Sequence, residues 1–588
     1  MVAEGRPSSV DLAEPSPAQR AIVRAPTAIA AFVGRTLKGP VNQPVLVTRF
    51  SEFQQHFGGL WQPSTLSYAI EQFFENGGRS AYVVRVVNGA RPPTIALPAA
   101  TAALQLIGIN PGSREFLRAS VDYDGVEESE PDRFNLVVQR VRSAGSELIE
   151  DQEFFQRVSI ARASGRLVSD ALAESRLVRV VGELPGQRPD RSPVGPGGAG
   201  IGYALSKPDA DDGAPLTDYD VIGSAAHSTG LFALQGLPAF NFLCIPPLAR
   251  ESDVGCSTLL VAARFCRDRQ AMLIVDPPMS WISPRTALDG LRSWPFRSES
   301  ALMYYPRVQA FDRLRGRVET FASCGAAAGM IARSDEAWPV WAAAESDDAV
   351  LRPGLRPAVP VSDTDRTRLA QAGINVLASV RTTYRAGISP RTLAMGAAGH
   401  SDWRYLSARR LALFIAASIE QGTRWVLLEP NTRVTWDRAQ LQADAFLQSL
   451  SDSGAFCASP LPCAVPAPGK PGVSIPGHPS DARVGPVDGA LRDDLRSSKR
   501  APARLSGGTP PEDSHFVIAD ERVNREQTLA EGKFNLLFGF ATSKPGEFDT
   551  WLVTHQAGAS RVRPVSVNRL ATSRERVGWE IETSILKG

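Results

Sequence analysis

The sequence predicts a multidomain α/β protein, and three observations support that fold class. The chain has 588 residues, and a hydrophobic core seldom grows to that size without dividing into several domains. Hydrophobic residues make up 43% of the chain and charged residues 21%, which is typical of a folded globular protein. Short apolar runs alternate with helical periodicity in residues 27–88, 219–344 and 373–456, a pattern that indicates packed α/β layers.

The most regular of these stretches runs from Gly373 to Phe456. It begins with an apolar strand, continues through a long helix whose apolar run spans Leu411–Ala417, and ends in an amphipathic helix. A left-handed residue is expected at Gly422, because glycine commonly ends a helix. The predicted elements after the first strand are a helix over Trp403–Gln421, a strand over Arg424–Leu428 and a helix over Trp436–Leu450 with the apolar face Leu441, Ala445, Phe446 and Leu450.

The N-terminal stretch predicts half of an α/β layer. Strands are expected over Ala28–Gly34, Val45–Thr48 and Ala81–Val87, and a helix capped by Ser64 precedes the last of them. A half-layer needs a second layer to cover it. We expect the Gly373–Phe456 stretch to be that partner, which gives one domain built from both chain ends, namely residues 26–88, 356–463 and 513–555.

Two further domains and a long loop are predicted between these parts. Residues 89–218 contain the short strands Leu104–Ile107, Phe134–Val141 and Arg176–Val181, separated by turn residues, and they predict an inserted β-rich domain. Residues 219–355 predict a middle α/β domain in which strand, helix and strand form a right-handed parallel crossover. Residues 464–512 are rich in Pro, Gly and Ser and are expected to be disordered.

No motif for catalysis, metal binding or cofactor binding is evident in the sequence. The cluster Gly197–Gly202 lacks the preceding strand and following helix that a phosphate-binding loop requires, so a plain loop is expected. Asp276 follows a predicted parallel strand, where α/β enzymes place functional groups, and the simpler interpretation is a carboxylate that caps the turn. His227 stands beside Ser228, but adjacency in sequence does not bring a base onto its nucleophile. We therefore predict no enzyme, no metal and no cofactor.

The bulk chemistry restricts the partners and the compartment. The net charge of +2 gives no argument for binding nucleic acid. The six cysteines have no C-x-x-C spacing and indicate buried thiols in a reducing cytosol. The apolar run near Leu411 is far shorter than the ~18 residues of a membrane span, and the N-terminus has charge and proline where a signal peptide is apolar. We expect assembly in the cytoplasm, without membrane insertion or direct contact with nucleic acid.

Both chain ends carry candidate strands for exchange between subunits. Residues 1–25 predict a flexible arm with a short strand candidate, and residues 556–588 form an extension whose last residues alternate between apolar and polar. A strand at the end of a tether has few partners in its own domain. We hypothesise that it, or Asp549–Thr554, pairs with the sheet edge of a neighbouring subunit. The residues of these exchange candidates are Val10, Leu12, Trp551, Val553, Val577, Trp579, Ile581 and Ile585.

Several long blocks, taken in order, resemble one protein family. They are TAIAAFVGRTLKGPVNQPVLVTRFSEFQQHFGG at 27–59, LFALQGLPAFNFLCIPP, LIVDPP and AAAGMIARSD within 231–335, and GINVL, RTL, WRYLSARRLALFIAASIEQGTRWVLLEPN and FLQSLSDSGAF within 373–456. Together with FNLLFGFATSKPGEF near the C-terminus, they resemble the tail sheath proteins of contractile phage tails and related contractile injection systems. The resemblance covers most of the chain outside residues 90–215 and 464–512.

The resemblance implies a structural subunit that polymerises as a helical homo-oligomer around an inner tube protein and contracts from a metastable extended state. It implies that the domain built from both chain ends faces the tube, with the insertions outside. Arg404, Arg409 and Arg410 are then candidates for contact with an acidic tube surface, and salt bridges within the domain are the alternative.

The same resemblance implies a wider set of partners. In addition to the inner tube protein, the expected partners are baseplate proteins, terminator or cap proteins and other variants of the sheath subunit. The particle would be a phage tail, a tailocin or a released contractile injection particle. Two other classes stay open: a baseplate or surface-binding component of the same kind of particle and, more remotely, an α/β hydrolase.

Overall fold

The computed structural model describes residues 21–100, 102–162, 165–193, 202–343, 349–377, 389–394, 401–456, 514–542 and 548–565. The chain divides into a larger unit, residues 24–417, and a smaller unit, residues 418–588 with residues 1–23. The strand candidates at Val10, Leu12 and residues 577–586 lie outside the described residues, as do most of the glycine cluster and the loop 464–512.

The first elements of the larger unit lie where the N-terminal pattern predicts them. They are β1 (Ala30–Gly34), β2 (Val45–Val47), α1 (Phe50–Phe57), α2 (Thr65–Glu75) and β3 (Ala81–Arg85). Ser64 caps α2 as expected, because its side chain accepts a hydrogen bond from the backbone N–H of Ser67 at 3.0 Å. Apolar residues at helical spacing, including Ile70 and Phe73, bury one face of this helix.

Residues 89–218 fold mainly into strands. Their elements are β4 (Thr94–Leu97), β5 (Leu104–Gly108), β6 (Phe116–Asp122), β7 (Arg133–Val141), β8 (Ile149–Ser159), α3 (Val168–Ala173), β9 (Val178–Val180) and β10 (Ala204–Leu205). One antiparallel sheet has the order β10-β6-β7-β8 and a second has the order β4-β5-β9. Alternate residues of both sheets, among them Leu106, Leu136 and Val138, form a common core.

The middle of the larger unit contains the predicted parallel crossover, formed by β11, α5 and β12. Its elements are α4 (Asp218–Ile222), a 3₁₀ helix (Gly230–Gly236), β11 (Phe242–Cys244), α5 (Cys256–Asp268), β12 (Met272–Val275), α6 (Pro284–Ser293), β13 (Ala301–Tyr305), β14 (Val308–Asp312), β15 (Arg317–Phe321), α7 (Cys324–Ala337), α8 (Val340–Ala343), β16 (Arg356–Pro357), α9 (Asp363–Gln371) and β17 (Asn375–Val376). The strands β14 and β15 form an antiparallel hairpin, and β16 pairs with β14 on its other side.

A seven-stranded sheet joins the N-terminal strands to the strands of the middle region, in the order β17-β13-β12-β11-β1-β3-β2. Its neighbouring strands are parallel except β2 and β3. Because β1 pairs with β11, from Ala30 opposite Phe242 onward, the N-terminal strands extend the sheet of the middle region. The prediction that residues 26–88 and 219–355 belong to separate domains is therefore wrong. The chain returns to pair with β1 after the insertion, and no local sequence pattern encodes such a distant pairing.

Two glycines in α7 allow this helix to lie directly against α2. A Cβ atom at Gly325 would lie 2.0 Å from the carbonyl oxygen of Ala69, and one at Gly329 would lie 2.3 Å from that of Phe73. Their spacing of four residues places both glycines on one face of α7. The backbones of the two helices can approach this closely only because both positions lack a side chain.

From Ser401 onward the chain forms helices and then an antiparallel sheet. The elements are a 3₁₀ helix (Ser401–Arg404), α10 (Leu406–Gly422), a 3₁₀ helix (Arg424–Leu428), α11 (Arg433–Asp452), β18 (His515–Ile518), α12 (Glu526–Ala530), β19 (Lys533–Phe540), β20 (Asp549–Gln556) and β21 (Ala559–Pro564). The sheet order is β18-β19-β20-β21. The stretch Leu406–Leu428 could span a membrane by length and composition, but 67% of its most apolar window is buried in the protein, as in a core helix.

The prediction of a strand over Arg424–Leu428 is wrong, because this segment is a 3₁₀ helix. Trp425 and Val426 are buried, whereas Leu427 and Leu428 are exposed. That sequence of burial follows a tight helical turn and not the alternation of a strand. Four consecutive apolar residues do not distinguish the two structures by pattern alone.

Two predictions about helices in the smaller unit, one about a helix end and one about a buried face, are wrong. Gly422 is the last residue of α10 and does not have left-handed backbone angles. Its missing side chain instead admits Ile22, whose nearest atom lies 2.8 Å from the position of a Cβ. On α11, Leu441 is exposed, and the buried face is formed by Thr435, Trp436, Ala439, Ala443, Phe446, Leu447 and Leu450.

Candidate functional site

Asp276 follows β12 at the carboxyl edge of the parallel sheet, where a functional carboxylate was one interpretation of the sequence. Its Oδ1 atom accepts hydrogen bonds from the backbone N–H groups of Ser323 and Cys324, both at 2.7 Å. Burial raises the pKa of this carboxyl group, and the nearby Arg307 opposes that shift. Asp276 therefore caps the start of α7, 47 residues further along the chain, whereas the simpler interpretation of the sequence was a carboxylate that caps its own turn.

Two arginines beside this edge are engaged within the protein. Arg250 donates a hydrogen bond to Asp312 at 2.7 Å and lies 4.7 Å from the ring centre of Tyr68. Arg307 donates to the carbonyl oxygen of Pro277 at 2.9 Å and also pairs with a carboxylate. A cleft of about 350 Å³, including space open to solvent, lies next to them. Since each guanidinium group already has an internal acceptor, both arginines serve the fold at this edge.

The other residue considered for catalysis does not contact the neighbouring serine as a base would. The Nδ1 atom of His227 lies 3.1 Å from Oγ of Ser224, in an exposed loop, and Ser228 is the next residue along. Within the described ranges, no group of three or more His, Cys, Asp or Glu residues could hold a metal ion.

The candidate tube-facing arginines lie mostly inside the larger unit. Arg410 forms a two-pronged ion pair with Asp335, and both side chains are only 3% exposed. Arg409 is 1% exposed and lies 3.4 Å from Glu299. The prediction that these two arginines contact a tube is therefore wrong, and the alternative of salt bridges within the domain is correct. Arg404 is partly exposed and lies over the ring of Tyr405.

The strand over Asp549–Thr554 is not available for donation to a neighbour. It forms β20, which pairs with β19 on one side and with β21 on the other. Its exchange candidates Trp551 and Val553 are 2% and 0% exposed. The prediction that this strand is exchanged is wrong, because the basic segment after it turns back as a hairpin and occupies the edge of β20. Among the described strands of this sheet, β18 and β21 are the outer ones.

His555 is fully buried where β20 meets the end of α10. The hydroxyl group of Thr423 donates to the carbonyl oxygen of Ile419 at 2.7 Å, so it accepts a hydrogen bond from Nε2–H of His555 at 2.8 Å. Nδ1 of the imidazole lies 2.8 Å from Oγ of Ser560 and accepts from it. Both ring nitrogens are thus satisfied in the neutral tautomer. Burial first, and then the charge of Arg424, lower the pKa of His555 to about 4.

Acid is expected to destabilise the smaller unit through His555. The unfolded chain binds a proton near the ordinary imidazole pKa of about 6.5, while the folded state resists protonation down to about 4. Stability should therefore fall as the pH falls between these values, by roughly 3 kcal/mol in all. Arg424, the charged group that also lowers the pKa of His555, forms an ion pair with Glu420 at 2.8 Å.

Urea unfolding of the wild type and of His555→Gln at pH 7.0, 5.5 and 4.5 measures this effect. We expect the variant to be less stable at pH 7.0 and to lose much less stability on acidification. His227→Gln is the matched control, because that imidazole is exposed, and it should keep the wild-type pH dependence. If the free energy of unfolding fell equally with pH in the wild type and in His555→Gln, His555 would not be the source of the acid sensitivity.

The sequence pattern did not predict the outer strand β21. A signal for it is present, because Gly558 joins two segments of strand-like residues and has a φ of 80°, as a tight hairpin turn requires. The position of β18 (His515–Ile518) at an edge of the sheet was not predicted either. Edges depend on which strands pair, and that is a property of the whole sheet.

Comparison with solved structures relates this fold to known proteins. The sheath tail protein of Listeria innocua is similar at 12% sequence identity, with a TM-score of 0.52 over 92% of this chain and 98% of that one. The sheath tail protein of Desulfitobacterium hafniense aligns at 12% identity and a TM-score of 0.45, over 95% of this chain and 100% of that one. No family model matches the chain, and no curated protein matches it in sequence.

The similarity to the Listeria innocua protein spans nearly the full length of both chains. It establishes that the chain has the fold of a sheath tail protein, and it confirms the mixed α/β class that the sequence predicts. The structural match covers 92% of this chain, so it also includes strands of residues 89–218, where the sequence shows no resemblance to the family.

Proposed function

We propose that this chain is the structural subunit of a contractile sheath. It polymerises as a helical tube around an inner tube and contracts from a metastable extended state, driving the inner tube through a target envelope. The observation that supports this most strongly is the fold, which matches a sheath tail protein over 92% of this chain and 98% of the other. The ordered blocks of sequence that resemble contractile tail sheaths support it independently.

Physical reasoning supports strands, and not rigid docking, as the permanent links between subunits. A strand on a flexible tether keeps its main-chain hydrogen bonds while the folded bodies rotate and slide. The contacts between bodies can then change from an extended lattice to a contracted one, with the first lattice trapped kinetically. A small gain in free energy per subunit, summed over many copies, performs mechanical work without nucleotide hydrolysis.

The partners follow from this role. The chain binds copies of itself in a helical array, an inner tube protein along the inside, and baseplate and terminator or cap proteins at the two ends. It assembles in the cytoplasm and becomes part of a phage tail or a released contractile particle. The outer strands β18 and β21 are the proposed acceptors for a neighbour's arm, since among the described strands each pairs on one side only.

Electron microscopy of negatively stained protein tests the proposal. The purified chain is imaged alone and after co-expression with a candidate inner-tube protein from the same source. Long hollow helical cylinders in either sample are the expected result. Monomers or small rings in both samples would overturn the sheath role and favour a baseplate component. An enzymatic turnover that disappears on substitution of Asp276 or His227 would instead favour the remote hydrolase alternative.

Removal of the predicted C-terminal strand is expected to abolish the cylinders and leave the folded body intact. Deleting residues 577–588 removes the alternating apolar positions Val577, Trp579 and Ile581. A donated strand contributes main-chain bonds and side-chain pockets to a neighbour and little to its own fold. The thermal unfolding curve should therefore stay unchanged, while cylinders disappear from micrographs at the wild-type concentration.

A point variant separates strand donation from mere shortening of the chain. Replacing Val577, Trp579 and Ile581 by Ser should act like the deletion, because alternate residues of the predicted strand would share one face. Replacing Glu580 and Glu582 by Ser is the matched control, since the same alternation assigns them to the opposite face of the predicted strand. Full-length cylinders formed by the deletion variant would exclude the donated strand.

A further inference from the structure

The inserted strands have a hydrophobic core of their own. We call residues 89–213 the inserted module, and residues 24–88 with 214–417 the sheet region. The core of the inserted module takes its buried residues from within the insertion, from Ile95 to Val178. A second core surrounds the seven-stranded sheet of the sheet region. A segment whose core is complete within itself can keep its fold while its attachment to the rest of the chain changes.

The chain crosses between the sheet region and the inserted module at two glycines. Gly89 and Gly213 have φ angles of 66° and 72°, in the left-handed region that glycine adopts readily. The two crossings lie side by side, because the N–H group of Ala214 donates to the carbonyl oxygen of Asn88 at 2.8 Å. Two adjacent crossings make a single attachment point, about which a folded module can turn.

Charged side chains of the sheet region also hold the inserted module. Lys38 pairs with Glu150 of the module, and the two side chains are 12% and 19% exposed. Arg35 donates to the carbonyl oxygens of Asp212 and Gly213, at 2.8 and 3.1 Å, at one of the crossings. These contacts are polar, and they fix the orientation of the module without joining the two apolar cores.

The most deeply buried charges of this joint are not fully satisfied. Arg85 of the sheet region and Glu115 of the module are 1% and 3% exposed, and their opposite charges attract each other. Arg85 donates to the carbonyl oxygen of Gly39 at 2.7 Å, and Glu115 accepts from Arg140 at 2.8 Å. Within the described part of the chain, however, Nε of Arg85 and Oε2 of Glu115 have no hydrogen-bond partner.

This joint is therefore weaker than either core. Buried ion pairs recover little more than the cost of removing their charges from water, and each buried polar atom without a partner adds to that cost. We call the joint the ionic latch. It consists of Arg35, Lys38 and Arg85 on the sheet region and Glu115, Glu150 and Asp212 on the inserted module.

We propose that the inserted module is a movable appendage of this chain, held in one orientation by the ionic latch. When the latch opens, the module turns about Gly89 and Gly213 as a folded body. Local opening begins where apolar burial is least, and here that place is the joint and neither of the two cores. The inference goes beyond the proposed function and does not depend on it, because the movement belongs to the single chain and is measured without assembly.

Carboxyl labelling of the unassembled chain tests the latch. A carbodiimide and glycine ethyl ester modify accessible carboxylates, and mass spectrometry gives the labelling rate of each one. Glu115 reports the joint, because it is 3% exposed in the closed arrangement. Asp276, which caps α7, reports the fold of the sheet region. Glu153, whose Oε1 accepts from the N–H group of Arg176 at 2.8 Å, reports the fold of the inserted module.

Charge reversal at Lys38 and Glu150 opens the latch without altering any of the three reporters. Lys38→Glu and Glu150→Lys should each speed the labelling of Glu115 by at least about tenfold, because like charges then face each other in a partly buried contact. The labelling of the other two reporters should stay within about twofold of the wild type, since local opening leaves both cores folded. The chain with both reversals should return to within about threefold of the wild type, because opposite charges face each other again.

Two further variants keep the test decisive. Arg191→Ala is the matched control, because Arg191 pairs with Asp124 at 2.6 Å within the module, and it should leave the labelling of Glu115 unchanged. Glu150→Gln removes one charge without reversing it. It replaces a reversed variant that does not fold, with an expected increase of about threefold at Glu115.

Three results would overturn the proposal. The first is labelling of Glu115 at the wild-type rate in the latch variants, which would mean that the joint does not open. The second is a common increase at Glu115, Asp276 and Glu153, which would mean that the module unfolds together with the sheet region. The third is a doubly reversed chain that labels as fast as the single reversals, which would mean that the pair of Lys38 and Glu150 does not close the joint.

Discussion

Replacing Arg410 by Ala is expected to lower the free energy of unfolding of the larger unit by about 3–5 kcal/mol. Arg410 in α10 pairs with Asp335 in α7, and both side chains are 3% exposed. Its guanidinium group also donates to the carbonyl oxygen of Thr27, at the entry to β1, at 3.2 Å. Removing it leaves the carboxylate of Asp335 buried without its partner, and a buried unpaired charge is the costly outcome.

Denaturant unfolding of three variants separates the cost of a buried unpaired charge from the contribution of the ion pair itself to stability. We expect Arg410→Ala and Asp335→Ala to be strongly destabilised, and Arg410→Met with Asp335→Leu to recover much of the loss, because an apolar pair leaves no buried charge. Arg285→Ala is the control, since Arg285 lies 3.8 Å from Asp289 and is 93% exposed, and it should cost less than about 1 kcal/mol. A cost for Arg410→Ala no larger than this control would contradict the buried pair.

The ion pair between Arg410 and Asp335 could not be predicted from the sequence. Three arginines at the start of an apolar helix suggest a surface that meets an acidic partner, and the helix itself was predicted from its apolar run. Asp335 lies 75 residues earlier in the chain, in a helix whose position depends on the central sheet. The partner of a charged residue is set by tertiary packing, so the pattern could not choose between a protein surface and an internal salt bridge.

Local features were predicted well where one physical cause acts within a few residues. Ser64 as a helix cap follows from such short-range chemistry, and the parallel crossover at β11 and β12 follows from the succession of strand, helix and strand. The seven-stranded sheet was not predicted, because its central pair joins β1 to β11 across the inserted strands. The burial of β20 was missed for the same reason, since it depends on the return of β21.

Replacing Gly325 or Gly329 by Ala is expected to destabilise the larger unit by about 2–4 kcal/mol for each substitution. In an isolated helix this change is stabilising by about 1 kcal/mol, because alanine has the higher helix propensity. Here the added methyl group would lie 2.0 Å from the carbonyl oxygen of Ala69 or 2.3 Å from that of Phe73. Both oxygens belong to the backbone of α2, so no side-chain rotation relieves the clash, and α7 must move away from α2.

Whether each Gly→Ala substitution raises or lowers the free energy of unfolding shows whether α7 packs directly against α2. Gly236→Ala is the control, because a Cβ at that position would have no heavy atom within 4 Å and its backbone is not left-handed; it should change stability by less than about 0.5 kcal/mol. Denaturant unfolding monitored by circular dichroism measures all three variants. Stabilisation by Gly329→Ala would mean that α7 is not held against α2. Destabilisation would mean that two missing side chains set the distance between these helices, and with it the position of Asp335 opposite Arg410.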